Sequence, residues 1–160
     1  MFFKTNLPSI PLSPVYLLFL WILISSLWSK ALNINSSTIN GSTFLKYYNE
    51  RFSANTVDKI DDFIDHFQQN GLWRWVGKLG PSNKVPLNVP DRDEIIAYAE
   101  KYSLWHAHIG DPCFEDTVHG RYKTSDWVLH FQRFNGNHIK LIELGYHRPM
   151  DLPSEALLQG

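Results

Sequence analysis

The C-terminal half of the sequence alternates apolar and polar residues in three consecutive runs, and this pattern constrains the fold most strongly. The runs cover Leu104–Ile109, Trp127–Phe131 and Ile139–Leu144. Alternation with a period of two is typical of strands that bury one face. Asn135-Gly136-Asn137 separates the last two runs, and such a sequence favours a tight hairpin turn. We therefore predict an antiparallel hairpin over Tyr122–Tyr146, with Leu104–Ile109 as a strand beside it.

The two faces of this predicted sheet differ in chemistry. Alternation places His106 and His108 together on one face, and His130 lies on a strand that can pair nearby. Imidazole titrates near neutral pH, so several histidines on one face indicate proton transfer, metal binding or phosphate contact. The opposite face is apolar and is expected to form the core with Trp105, Ala107, Ile109, Trp127, Leu129 and Phe131.

Helical periodicity dominates the residues that precede the sheet. Apolar residues recur at spacings of three and four between Val57 and Phe67, with Ser53 as an N-cap and Gly71 as a C-terminal stop. A shorter apolar pattern predicts a helix or helical turn within residues 44–52.

A further helix is predicted to begin at Asp91, with Glu94 completing a capping box. Residues 154–160 are predicted to form a frayed tail. The predicted fold class is α+β, with two or three N-terminal helices packed on a small antiparallel sheet.

The first 43 residues form a separate segment. Residues 15–24 are uninterruptedly apolar, and the polar residues 33–43 predict a flexible join. Three interpretations are open: a signal peptide or membrane anchor, a membrane-associated soluble domain, and a start codon assigned too far upstream. We favour the third, with a cytoplasmic protein whose single domain covers residues 44–160. Membrane contact is expected only if residues 15–28 are a real anchor.

Overall charge and cysteine content exclude some classes of partner and site. The 160 residues include 15 Lys or Arg and 16 Asp or Glu, and a net charge of −1 gives no global attraction to nucleic acid or membranes. Cys113 is the single cysteine, which excludes an intrachain disulfide and a multi-cysteine zinc site.

Two kinds of chemistry suit the histidines. Converging imidazoles of His106, His108 and His130 would bind zinc and leave a fourth position for water. Alternatively, a metal-free enzyme would cleave an RNA phosphodiester, for which it needs a base, an acid and cations on the phosphate. We prefer this second chemistry and predict no metal and no other cofactor. The predicted catalytic groups are His106, His108, Lys123, His130 and His147.

The loop that follows the long helix adds further cations. Its positive charges are interleaved with Trp73 and Trp75, a combination that can hold a nucleic-acid backbone and stack a base. The alternative is a loop whose tryptophans pack into the core. The predicted substrate-binding residues are Arg74, Lys78, Lys84, Arg121 and Arg148.

The order of elements and three short motifs resemble the RelE/ParE superfamily of bacterial toxin–antitoxin toxins. Gly77-Lys78-Leu79-Gly80 resembles the family's basic Lys-Leu-x-Gly turn, and residues 101–110 resemble the strand with its Arg/His-Tyr-Arg/His pattern. Residues 139–144, followed by His147, resemble the last strand after which RNA-cleaving members place a catalytic His or Tyr. The likeness covers roughly residues 44–153.

The resemblance implies a growth-inhibiting mRNA endonuclease (an mRNA interferase) that acts on free or ribosome-bound RNA without a metal and is inhibited by a cognate antitoxin protein. By position, His147 would be the general acid or base, and His106 or His108 would orient the 2′-hydroxyl. Lys123 and Arg121 would stabilise the phosphate. ParE-like members instead inhibit DNA gyrase without a catalytic set, and this alternative stays open. An exported or membrane-anchored binding domain is the third alternative.

Overall fold

The computed structural model describes residues 37–160, except His119, Pro149 and the side chain of Ile39; predictions for residues 1–36 lie outside it. The helices of this part are α1 (Ser42–Glu50), α2 (Ala54–Asn70), α3 (Arg92–Lys101) and α4 (Glu155–Gln159). The strands are β1 (Ser37–Asn40), β2 (Leu79–Pro81), β3 (Leu104–Asp111), β4 (Glu115–Asp116), β5 (Lys123–Thr124), β6 (Trp127–Asn135) and β7 (His138–Tyr146). None of the helices within this range is long and apolar enough to cross a membrane.

Five strands form the main sheet in the order β1-β7-β6-β3-β2, and β4 pairs with β5 in a separate ribbon. The predicted α+β class is confirmed, and β6 and β7 form the predicted antiparallel hairpin. The sheet is mixed, however, because β1 runs parallel to β7. This strand lies in the polar tract where a flexible join was predicted, and that prediction is wrong for residues 37–40. The predicted hairpin also began too early, since Lys123 and Thr124 belong to the ribbon.

The long helix α2 has the predicted ends. Ser53 Oγ accepts a hydrogen bond from the Thr56 backbone N–H at 3.2 Å, and Gly71 ends the helix with a positive φ of 62°. At its N-terminus, the Thr56 hydroxyl donates to the buried Asp111 carboxylate at 2.9 Å. This bond joins α2 to the end of β3. The shorter α1 also lies where a helix was predicted.

The capping box predicted for α3 is wrong. Asp91 precedes the helix, but its backbone is left-handed (φ 54°, ψ 26°) and its side chain makes no cap hydrogen bond. The acidic residues in the first turn, Asp93 and Glu94, still oppose the positive end of the helix dipole.

The main core lies between α1, α2 and one face of the sheet. Phe63 and Phe67 of α2 are fully buried against Leu129 and Phe131 of β6 in one cluster. The predicted core positions on this face are confirmed with one exception. Trp127 is 37% exposed and packs edge-on against Tyr146, because it stands at the first position of its strand.

A smaller core covers part of the opposite face. Leu104 and Ile142 of the sheet pack there with Ala99 of α3 and Leu158 of α4. The predicted frayed tail is therefore wrong, since the helix it forms buries Leu158. The helices are therefore not all N-terminal to the sheet, because α3 and α4 follow strands in the chain. The rest of this face, beyond Leu104 along β3, carries the histidines.

Candidate functional site

Strand pairing brings three histidines together on the second face of the sheet. His106 of β3 lies directly opposite His130 of β6, and their ring centroids are 6.4 Å apart. His108 follows two positions later on the same face, with its ring 6.1 Å from that of His106. The predicted common face is confirmed, since a period of two sends alternate side chains to the same side.

His147 arrives from outside the sheet, one residue after β7 ends. Its backbone N–H donates to the carbonyl oxygen of Asp126 at 2.7 Å, which extends the antiparallel pairing of β7 with β6 by one residue. His147 lies two positions after Gly145, which contacts His130, so its side chain points to the histidine face. Its ring lies 4.5 Å from the ring of His108 and 6.0 Å from that of His106. One nitrogen from each of these three rings lies within 4.8 Å of the other two. The zinc alternative named His130 as the third ligand, but in the structure the third member of this trio is His147.

Two serines orient the buried histidines of the trio. Ser82 Oγ lies 3.1 Å from Nδ1 of His106. Nδ1 of His108 lies 2.8 Å from both the carbonyl oxygen and the nitrogen of Ser125. Ser125 is itself fixed, since its hydroxyl accepts from Gly110 N–H and donates to the Trp127 carbonyl. Both Nδ1 atoms are therefore engaged, which leaves the two Nε2 atoms available.

His130 lies beside His106 on the neighbouring strand and has no hydrogen-bond partner among the described residues. It is fully buried, and both ring nitrogens are unpaired. Gly145 lies so close to it that an added Cβ would approach Nε2 to 2.9 Å. A buried polar group without a partner costs about 1–3 kcal/mol. Such a cost is typical of functional sites, where local packing rules are broken.

Burial keeps the histidines neutral. It lowers the pKa of His106 to about 3 and the pKa values of His108 and His130 to about 4, and the neighbouring histidines and cations add to the effect. The pKa of half-buried His147 is also lowered, first by burial and then by the charges of Lys78 and Arg148. At neutral pH the cluster therefore presents uncharged imidazoles, whose lone pairs can accept a proton or bind an ion.

Only some of the predicted cations lie near the histidine cluster. Lys78 and Arg148 are exposed, and both lie close enough to lower the pKa of His147. Lys123 is next to Lys78, whose N–H donates to the Lys123 carbonyl at 2.6 Å. The ammonium group of Lys123 lies 3.4 Å from the Asp116 carboxylate, which offsets part of its charge.

Three other predicted cations are exposed away from these contacts. No hydrogen bond or salt bridge found within residues 37–160 joins Arg74, Lys84 or Arg121 to the histidines. The two tryptophans of the basic loop differ. Trp73 is 75% exposed. Trp75 packs edge-on against Phe63 and donates to the His108 carbonyl at 2.8 Å, so its role is structural.

A small cavity of about 90 Å³ opens beside His147. Arg148 lines it together with two carboxylate residues, Glu115 and Asp126. Pockets that enclose whole ligands are larger, about 300–1,000 Å³. The cavity is therefore too small to enclose a whole ligand.

No protein-family model, curated protein or solved structure significantly matches this chain.

The site residues that the sequence missed are Ser82, Ser125 and Asp126. Each acts through a hydrogen bond that depends on folding: one to His106, one to His108 and one to the backbone of His147. The sequence contains no signal for these contacts, because serine and aspartate in loops are common. The assembled site offers three neutral imidazoles at a solvent-open edge with two cations beside them.

Proposed function

We propose that this protein is a metal-independent endoribonuclease of the RelE/ParE type, the toxin of a toxin–antitoxin module, with His147 as the general base. The observation that carries the proposal is the position of His147. Its half-exposed ring lies tilted against the neutral His106 and His108, and the charges of Lys78 and Arg148 help to lower its pKa. A neutral base beside cations is what attack by a ribose 2′-hydroxyl on a phosphodiester requires.

The reaction is an internal transesterification. His147 takes the proton of the 2′-hydroxyl while the 2′-oxygen forms a bond to phosphorus and the bond from phosphorus to the 5′-oxygen breaks. The leaving 5′-oxygen takes a proton from water, because the site is open to solvent at His147. The products are a 2′,3′-cyclic phosphate and a 5′-hydroxyl, and the imidazolium returns its proton to solvent.

The neighbouring groups have distinct roles in this scheme. Lys78 and Arg148 stabilise the charge that builds up on the phosphate oxygens. His106 stays neutral and, being slightly exposed, can help to position the 2′-hydroxyl. His108 is fully buried and acts through its contact with the His147 ring. Glu115 and Asp126 at the cavity repel an anion, so binding depends on the two cations and weakens as salt rises.

The decisive experiment compares the full-length chain with His147→Gln on a structured mRNA in the presence of EDTA. We expect the parent to produce fragments with 2′,3′-cyclic phosphate ends and the variant to lose about 100-fold or more of this activity. His138→Gln is the matched control, because His138 is exposed at the first position of β7. It should cleave like the parent.

Two outcomes would overturn the proposal. One is an intact RNA under all conditions together with inhibition of DNA supercoiling, which would favour the gyrase alternative. The other is cleavage that His147→Gln leaves unchanged. In cells, we expect expression of the parent to stop growth unless a cognate antitoxin is co-expressed, and the His147→Gln variant to be tolerated.

A further inference from the structure

We propose that His106, His108 and His147 also form a binding site for a zinc-class transition-metal ion, and that the bound ion blocks RNA cleavage. Three imidazole nitrogens that lie within 4.8 Å of one another are the donor set found in three-histidine zinc centres. The second half of the inference rests on the proposed function, whereas the binding site does not depend on it.

The buried members of the trio are already oriented as ligands. Histidines that bind metals usually donate the other ring N–H to a carbonyl or another polar group. His108 can donate its Nδ1–H to the Ser125 carbonyl, and His106 can donate to the Ser82 hydroxyl. His108 is fully buried, and its Nε2 has no partner among the described residues. When Nδ1 donates to the Ser125 carbonyl, the Nε2 lone pair is unused by the fold. When Nδ1 instead accepts from the Ser125 N–H, metal binding requires the ring to shift its proton from Nε2 to Nδ1.

The three imidazole nitrogens must move closer together to bind zinc. Zinc–nitrogen bonds of about 2.0–2.1 Å at tetrahedral angles place ligand nitrogens about 3.3 Å apart. The trio nitrogens lie within 4.8 Å, so a contraction of up to about 1.5 Å completes the site. His147 is the residue that moves, since its side chain is half-exposed while the other two are held by serines.

The type of ligand atom determines which ions the site prefers. Neutral imidazoles bind Zn²⁺, Co²⁺, Ni²⁺ and Cu²⁺ better than Mg²⁺ or Ca²⁺, which prefer oxygen ligands. Two carboxylate residues, Glu115 and Asp126, line the adjoining cavity, and their negative charge partly offsets the repulsion between the ion and the two cations.

Occupation of the site and metal-free catalysis exclude each other. An ion bound to His147 removes the lone pair that would take the 2′-hydroxyl proton. Zinc would therefore inhibit cleavage, and EDTA would restore it.

The test is a titration of the full-length chain with Co²⁺ as a spectroscopic probe, followed by displacement with Zn²⁺. We expect one Co²⁺ per chain with the intense visible absorption of tetrahedral coordination. His147→Gln should abolish the absorption, and Ser82→Ala should weaken binding by about tenfold or more. His138→Gln should bind like the parent. Circular dichroism checks that each variant is folded.

The outcomes separate this inference from the proposed function. A folded parent that shows no tetrahedral Co²⁺ band, or a band that persists in His147→Gln, overturns the metal site whatever happens to RNA. Cleavage that needs Zn²⁺ would leave the binding site in place and overturn both its inhibitory role and the metal-free reaction. Cleavage that Zn²⁺ stops and EDTA restores supports both proposals.

Discussion

Acid should destabilise this protein because its histidines are buried as neutral groups. Folding lowers the pKa of His106 to about 3 and those of His108 and His130 to about 4, from an ordinary value of 6.5. The unfolded chain therefore binds more protons than the folded chain below pH 6.5. By linkage, the penalty is absent above that pH and grows as the pH falls toward the folded pKa values.

The structure sets the size of the effect. At pH 5 each of these histidines is about 1.5 pH units below its unfolded pKa, which corresponds to about 2 kcal/mol. Three such groups give about 6 kcal/mol, an upper value because their titrations are coupled. Burial raises the pKa of half-buried Glu143, which favours the folded state as the pH falls and offsets a small part. We expect a net loss of about 4–6 kcal/mol between pH 7 and pH 5, comparable with the whole stability of many domains.

The assay is urea denaturation at pH 7, 6 and 5, followed by tryptophan fluorescence. His130→Leu removes one of the three groups, so the pH dependence of the free energy of unfolding should decrease by about a third. His138→Gln is the control for an exposed histidine and should keep the dependence of the parent. A free energy of unfolding that is unchanged from pH 7 to pH 5 would refute the reasoning, because it would mean that these imidazoles protonate in the folded state.

Three further predictions concern stability at pH 7. Because His130 is buried without a partner in the described part of the chain, His130→Leu should raise the free energy of unfolding by about 1–3 kcal/mol; a loss measured by urea denaturation would contradict this. Ser53→Ala removes the N-cap bond of α2 and should cost about 1 kcal/mol, whereas an unchanged midpoint would show that the cap is dispensable. Gly110 has a φ of 79°, and a Cβ there would lie 2.7 Å from the Phe114 ring. Gly110→Ala should therefore lower the melting temperature, with Gly136→Ala, where the added Cβ meets no neighbour, as the matched control.

The sequence correctly predicted the helices and strands whose buried residues recur at a regular spacing along the chain. The apolar spacing from Val57 to Phe67 predicted α2, and the alternation around His106 and His130 predicted which side chains share a face. The same reasoning failed for β1 and α4. Residues 37–40 form a strand because β7 offers a free edge for pairing, and residues 155–159 form a helix that buries Leu158 in the second core. Neither contact leaves a periodic pattern in so short a segment.

The histidine site was likewise determined partly by the local sequence and partly by the tertiary structure. The sequence by itself determined that His106, His108 and His130 lie on one face of a sheet, because the period of a strand is a local property. Only the tertiary structure decided that His147 replaces His130 in the trio. This depends on the backbone hydrogen bond from His147 to Asp126, which extends the pairing of β7 with β6 and fixes His147 beside His106 and His108. The neutral state of the imidazoles was likewise decided by burial, which arises only when distant segments pack together.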